Sequence, residues 1–179
     1  MIIKNNTYQH IANLEMDNNT YEACTFSNIS IDDIVLTNTT FKSCNFSNST
    51  FSNCGFHQVK FINCNLLGTS IFECTLKNVI VQDSNGLYLN IGKSKLENTS
   101  FITSNLKEMR LIGCTEKNLV FSNCRLDKMT ISDTKLQGVD LSTNEINGMI
   151  FKASDIKGSF ISPEQAISLI SNFGLIVKY

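Results

Sequence analysis

Residues 41–61 read FKSCNFSNSTFSNCGFHQVKF, with phenylalanine at 41, 46, 51, 56 and 61. The five-residue step runs outward from there in both directions. Upstream it passes through Leu36, Ile31, Phe26 and Tyr21 to Met16; downstream it passes through Leu66, Ile71, Leu76 and Val81 and continues to Ile161. Of the 30 positions in this frame 28 are large and apolar, and the exceptions are Gly86 and Glu116. Nine of the twelve phenylalanines fall on it, which a chain 42% hydrophobic does not do by chance. Ile11 reads as one more unit at the front.

Two residues before each of these positions runs a second column, and it holds all seven cysteines: Cys24, Cys44, Cys54, Cys64, Cys74, Cys114 and Cys124. From residue 54 onward the column alternates in size, with Cys54, Cys64, Cys74 and Ser84 interleaved with Val59, Thr69, Val79 and Leu89. A helix repeats at 3.6 residues and a strand at 2, so a period of five is neither. A coil with four short sides fits it, because each side carries one large inward residue and one inward neighbour. Ten residues are then two sides. The alternation places small side chains at one opposed pair of places and larger ones at the other, which fills a narrow interior without voids. Phe41, Phe46, Phe51, Phe56 and Phe61, with Cys44, Cys54, Cys64 and Cys74, are the expected structural core. The other three positions of each unit face water.

NSTFSNCGF at 48–56 and NCNLLGTSIFECTL at 63–76 resemble the pentapeptide-repeat family, and the likeness covers about residues 11–161. The resemblance implies an all-β solenoid, a right-handed quadrilateral β-helix. At ~4.8 Å per layer, seven to eight coils make a rod about 36 Å long. Residues 1–161 are expected to form this helix, with an N-terminal cap about 1–13, and residues 162–179 a separate end.

That end begins at Ser162-Pro163-Glu164-Gln165, which reads as an N-cap, a proline at the first helical position and a capping box. Ala166, Leu169, Ile170 and Phe173 follow at helical spacing with Ile167 beside them, predicting a ten-residue helix closed by Gly174; Leu175–Tyr179 reads as a short strand. An open solenoid end invites uncontrolled pairing, so a cap is required. The module is similar to the C-terminal helix and tail of Qnr- and MfpA-type pentapeptide-repeat proteins. That likeness implies a homodimer interface made by Ala166, Ile167, Leu169, Ile170, Phe173, Leu175 and Val177; the bland reading is a simple cap.

Little in the chain suggests chemistry. Cysteines 10 and 20 residues apart do not have metal-ligand spacing, and their parallel Cβ vectors disfavour disulfides, so they read as small apolar filler. His10 and His57 have no evident nucleophile or carboxylate partner, and no glycine-rich phosphate loop is present. No catalytic residue, cofactor or metal is expected, and the chain reads as not an enzyme. No apolar run approaches the roughly 18 residues of a membrane span. MIIKNNTYQH lacks a signal-peptide pattern, so a cytoplasmic protein is expected, with no membrane partner.

The two frame violations carry alternatives. At Asn85-Gly86 either a dent is filled by Leu87 or a neighbour, or a bulge presents Leu87 and Tyr88 to a partner. Glu116, as a costly buried charge, is expected to turn outward on a distorted side. Ile62, Leu67, Phe72, Leu87, Ile102 and Ile112 occupy water-facing positions on three sides; Phe72, Leu87 and Tyr88 are the candidate partner-binding residues.

The opening coils, NNTYEACTFSNISI and NTTFKSCNFSNSTFSNCGF, are similar to the Qnr/MfpA branch, which implies DNA gyrase or topoisomerase IV as partner and fluoroquinolone protection. In that branch the rod resembles B-DNA in shape and acidity. Here the net charge is −1, while a 36 Å duplex holds about 20 charges. Recognition is therefore expected to use shape, a local acidic group (Glu15, Asp17, Glu22, Asp32, Asp33) and the outward apolar residues, with no direct nucleic-acid contact. The alternative is an interaction scaffold with no topoisomerase role.

Overall fold

The structure, a computed structural model, describes residues 1–9, 16–170, 173, 174, 176 and 178. The chain winds into a four-walled β-helix that advances one layer every 20 residues. The first wall stacks the strands Ile2–Lys4, Thr20–Glu22, Thr40–Lys42, Lys60–Ile62, Ile80–Gln82, Ser100–Ile102 and Val120–Ser122 in parallel. The third wall runs from Ser30–Asp32 to Thr130–Ser132, and the fourth from Val35–Thr37 to Thr115–Lys117. The second wall is held by single parallel bridges, Thr25 to Asn45 to Asn65 to Asn85 to Asn105 to Arg125 to Glu145. Register never wavers along this stretch: Phe41 lies beside Phe61, Phe51 beside Ile71 and Leu36 beside Phe56.

The coil closes because each wall ends in a sharp corner. Two residues after each wall centre from Met16 to Leu136 the backbone takes positive φ, as at Asn28 (58°), Asp33 (55°), Asn38 (48°) and Ser43 (51°). Asparagine and aspartate tolerate this left-handed region better than other non-glycine residues, which accounts for the asparagine that recurs there. The corner side chains also join coil to coil: Asn98 Nδ2 donates to Asn78 Oδ1 at 2.9 Å and Asn118 Nδ2 to Asn98 Oδ1 at 2.8 Å.

Inside, aromatic rings form two ladders. Tyr21, Phe41 and Phe61 stack on the first wall with centroids 5.2 Å apart. Tyr8, Phe26 and Phe46 stack on the second at 4.6 and 4.7 Å. The ladders meet edge to face, with Phe41 and Phe46 5.0 Å apart at 89°, a geometry the ring quadrupole favours. Burial in this stack pushes the Tyr21 hydroxyl up to about 12.

The second column is buried too, and polar contacts explain why cysteine, serine and threonine exchange within it. Each can donate to the carbonyl of a wall centre in the preceding coil: Cys64 Sγ to Phe41 O at 3.4 Å, Thr69 Oγ1 to Phe46 O at 2.8 Å, Thr134 Oγ1 to Leu111 O at 3.4 Å. The hydroxyls also accept from amides of that coil, as Ser84 Oγ does from Cys64 N at 3.0 Å. All seven cysteines are free and buried, and burial pushes the Cys114 and Cys124 thiols up.

Two places depart from the sequence reading, and at a third, Gly86, its alternative of a dent filled by a neighbour holds. At the front, Ile3 lies beside Tyr21 and Tyr8 packs on Phe26. Residues 2–8 thus form two walls of a first coil, set 18 residues rather than 20 from their counterparts in the next. The expected unit at Ile11 lies outside the described residues. At Gly86 there is neither bulge nor intrusion by Leu87. Leu106 of the next coil fills the gap, its Cδ2 only 2.7 Å from where a Cβ would stand. Glu116 does not turn outward. Its strand keeps register, with Leu96 beside Glu116, and the half-buried carboxylate bends back to accept from Leu119 N at 3.2 Å. Among the described residues, strand pairing on this wall stops here, leaving an open groove of about 490 Å³ beside Cys114, Glu116, Asp133 and Lys135.

Among the described residues the terminal helix spans Pro163–Ile170. Its capping box is formed: Gln165 N donates to Ser162 Oγ at 3.3 Å and Ser162 N to Gln165 Oε1 at 2.8 Å. The proposed strand Leu175–Tyr179 falls largely outside the described residues.

Phe51 is buried and touches Phe46 and Phe56. Replacing it with alanine should cost ~3–5 kcal/mol, measured by urea unfolding. A loss under about 1 kcal/mol would contradict this packing.

Candidate interaction surfaces

Five-residue sides leave three outward positions per wall, so function must be sought on the walls and at the ends. Among the described residues, no cluster of three or more His, Cys, Asp or Glu could hold a metal ion. No described helix is long and apolar enough to cross a membrane. The enclosed interior beside Phe51, Phe61, Leu89 and Ile91 admits only about 10 Å³, no more than the least that one water molecule requires. Phe41, Phe46, Phe51, Phe56, Phe61, Cys44, Cys54, Cys64 and Cys74 all lie in this filled core.

The three candidate partner residues do not form one patch. Leu87 is half-buried on the second wall, and Tyr88 stands 51% exposed at the corner leading to the third. Tyr88 borders an open groove of about 570 Å³ with Glu108, Arg110, Lys128, Gly148 and Ile150. Phe72 lies across the width of the third wall from that corner. Its ring covers Gly92, where a Cβ would come within 2.9 Å of the ring edge. Lys93 Nζ sits 5.1 Å above the ring centroid, a cation–π contact.

Apolar residues just before the wall centres escaped the sequence reading, which looked only just after them. Ile80 and Val120 flank Ser100 on the first wall, near Ile62 and Ile102. Ile150 and Phe160 project at the far end. Reading both outward columns wall by wall, at 20-residue steps, would have found them.

Most of the acidic side chains near the N-terminal coils are engaged. Glu22 pairs with Lys4 at 2.6 Å and reaches Lys42 at 4.0 Å. Asp17 accepts from Thr37 N at 2.7 Å and Asp32 from Asn53 Nδ2 at 3.0 Å. Glu15 lies outside the described residues. Asp33 stands exposed at its corner without an ion pair among the described residues, so the group is largely but not wholly engaged.

The C-terminal helix divides its residues between two tasks. Gln165 Nε2 donates to Leu141 O at 2.8 Å and Asn144 O at 2.6 Å, closing the last coil, and Leu169, 5% exposed, packs onto the core. Leu169 is therefore a capping residue and is not available to a second chain. Ala166 and Ile170 are half-buried, whereas Ile167 (45%), Phe173 (55%) and the preceding Phe160 (62%) remain exposed. Leu175 and Val177 lie outside the described residues.

Residues 2–71, fewer than half the chain, match the family described as the SV2A/B/C luminal domain. No curated protein sequence matches. Among solved structures the chain is similar to QnrB1, a plasmid-mediated fluoroquinolone resistance protein. The identity is 20% over 99% of this chain and 97% of that one, with a TM-score of 0.30. It is also similar to HetL, a pentapeptide repeat protein involved in heterocyst differentiation regulation in the cyanobacterium Nostoc, at 14% identity over 90% and 87% of the chains and a TM-score of 0.43. Rfr23 from the cyanobacterium Cyanothece matches at 14% identity over 85% and 95%, with a TM-score of 0.24. The coil itself, with five-residue sides and 20-residue turns, is that of a pentapeptide-repeat β-helix.

Gln165 carries the cap. Gln165→Ala should cost about 1–3 kcal/mol by stranding two carbonyls, read as a lower urea midpoint. No change would mean that water replaces the side chain and the cap lies elsewhere.

Proposed function

We propose that the chain is a non-enzymatic interaction rod that pairs through its C-terminal end and binds a protein along its walls. The observation that carries this reading is the division of labour in the helix. Gln165 and Leu169 suffice to close the coil, yet Phe160, Ile167 and Phe173 stay exposed around that end. An apolar cluster beyond what capping requires suits an isologous contact, in which the same patch serves both subunits. Among the described residues, the grooves beside Glu116 and Tyr88 lie open on the walls, and an open groove does not shield a reaction from water. Seven buried, reduced cysteines suit a reducing compartment such as the cytoplasm.

Light scattering should give twice the 20.0 kDa of one chain. The double substitution Phe160→Glu and Ile167→Glu should give folded monomers. An intact chain that stays monomeric at high concentration would leave the helix with capping alone.

A type II topoisomerase is the second reading for the partner, supported by the likeness of residues 18–31 and 38–56 to Qnr and MfpA sequences. The net charge of −1 argues against extended DNA mimicry, because the chain carries nearly as many lysines and arginines as carboxylates. Binding by shape and apolar contact would depend only modestly on salt. Under this reading, purified protein should inhibit gyrase supercoiling or restore it in the presence of a fluoroquinolone, and Phe72→Ser should weaken the effect more than removal of any single carboxylate. Inertness toward both gyrase and topoisomerase IV would leave a scaffold with another protein partner.

A further inference from the structure

A net charge of −1 conceals an uneven distribution of lysine. On the fourth wall Lys77, Lys95, Lys117, Lys135 and Lys157 are all exposed. They alternate between the position after the wall centre and the position before it, so each successive coil contributes one. At ~4.8 Å per coil the row spans about 19 Å, and two residues of strand make the zigzag roughly 7 Å wide.

The acidic residues of this wall do not cancel the row. Glu97 stands in it, 3.8 Å from Lys77. Glu116 is folded back onto the Leu119 amide, and Asp155 is buried. The remaining outward groups along this stretch are Thr75, Thr115 and Gln137, with the Asn78–Asn98–Asn118 ladder along one corner. Elsewhere several charges are paired across coils. On the opposite wall Arg125 Nε holds Glu145 at 3.1 Å, and on the third wall Lys152 holds Asp133 at 3.0 Å and Lys93 holds Glu73 at 3.6 Å.

We propose that the fourth wall docks along the phosphate backbone of double-stranded DNA. A narrow zigzag of lysines, one per coil, complements a line of regularly spaced phosphates, which lysine meets as point charges. No aromatic ring stands along the row, so nothing there can stack an unpaired base, which a single strand would require. The wall is flat and projects nothing into a groove, so its contacts carry no sequence information. A bilayer offers charge in two dimensions, whereas here both flanking walls carry carboxylates, Asp83 and Asp140 on one side and Glu73 and Asp133 on the other. This inference stands apart from the choice of protein partner, which concerns other walls.

The test is fluorescence anisotropy with a labelled duplex of about 30 base pairs and the full chain. Neutralising about three to five phosphates predicts affinity falling roughly 40-fold to 500-fold between about 50 and 200 mM salt. Unrelated sequences should compete equally. Lys95→Glu with Lys117→Glu should weaken binding at least about tenfold, while Lys107→Glu with Lys128→Glu on the opposite wall stays within about threefold. Circular dichroism checks that both variants fold; if the first does not, Lys95→Gln and Lys117→Gln singly should each give a smaller loss. The proposal is overturned by no binding at about 100 µM protein in low salt, by equal losses in both double variants, by binding insensitive to salt, or by binding to phosphatidylserine vesicles without binding to the duplex.

Discussion

The left-handed corner is the constraint on which the rest depends. A wall of five residues can become the next only if the backbone turns sharply two residues past each centre, and it does so at positive φ coil after coil. For residues other than glycine each such corner costs on the order of 1 kcal/mol, so the set is tolerable only because stacking returns more. Backbone ladders at 20-residue spacing, ring stacking and the corner asparagine bonds are collective gains that no isolated coil could make. Those gains fix the register, and the register decides which two residues of every five point inward.

The centre column was legible because burial selects strongly for size, and one apolar residue in five over 30 positions cannot be mistaken. The corners were legible as well but were read merely as solvent-facing. Asparagine at 28, 38, 48, 53 and 63 marks the positive-φ position, and φ tolerance rather than polarity accounts for it. Gly86 and Glu116 show where a single-column reading stops. Whether a missing side chain leaves a dent depends on Leu106, 20 residues on. Whether an inward carboxylate is tolerable depends on the wall opening beyond it, with Leu119 N within reach. Both answers lie in the neighbouring coil.

The ends were harder for another reason. The first coil is out of phase with the frame, so Ile3 and Tyr8 fall between its positions although each packs on an aromatic residue of the next coil. At the other end the helix signal was clear, and Ser162 and Gln165 form the expected capping box. What periodicity could not say is how each helical face is spent. Leu169 and Ile167 are equally apolar in sequence, yet one closes the coil and the other faces solvent. Only the position of the last coil's open carbonyls separates capping residues from those left for a partner.

Net charge is the quantity that this architecture makes least informative. In a solenoid, residues 20 apart share a wall and residues five apart do not, so a near-neutral chain can be strongly charged along one wall. Lysines 77, 117 and 157 recur at two-coil steps in one column, and Lys95 and Lys135 in the other, while Glu73, Asp133 and Glu145 on the other walls stand beside the cations they pair with. Exposed pairs of this kind contribute little to stability, so folding places few limits on where the cations go. The recurrence of one lysine per coil along a single wall is therefore not something the fold demands, and an external polyanion accounts for it more directly than any contact within the chain.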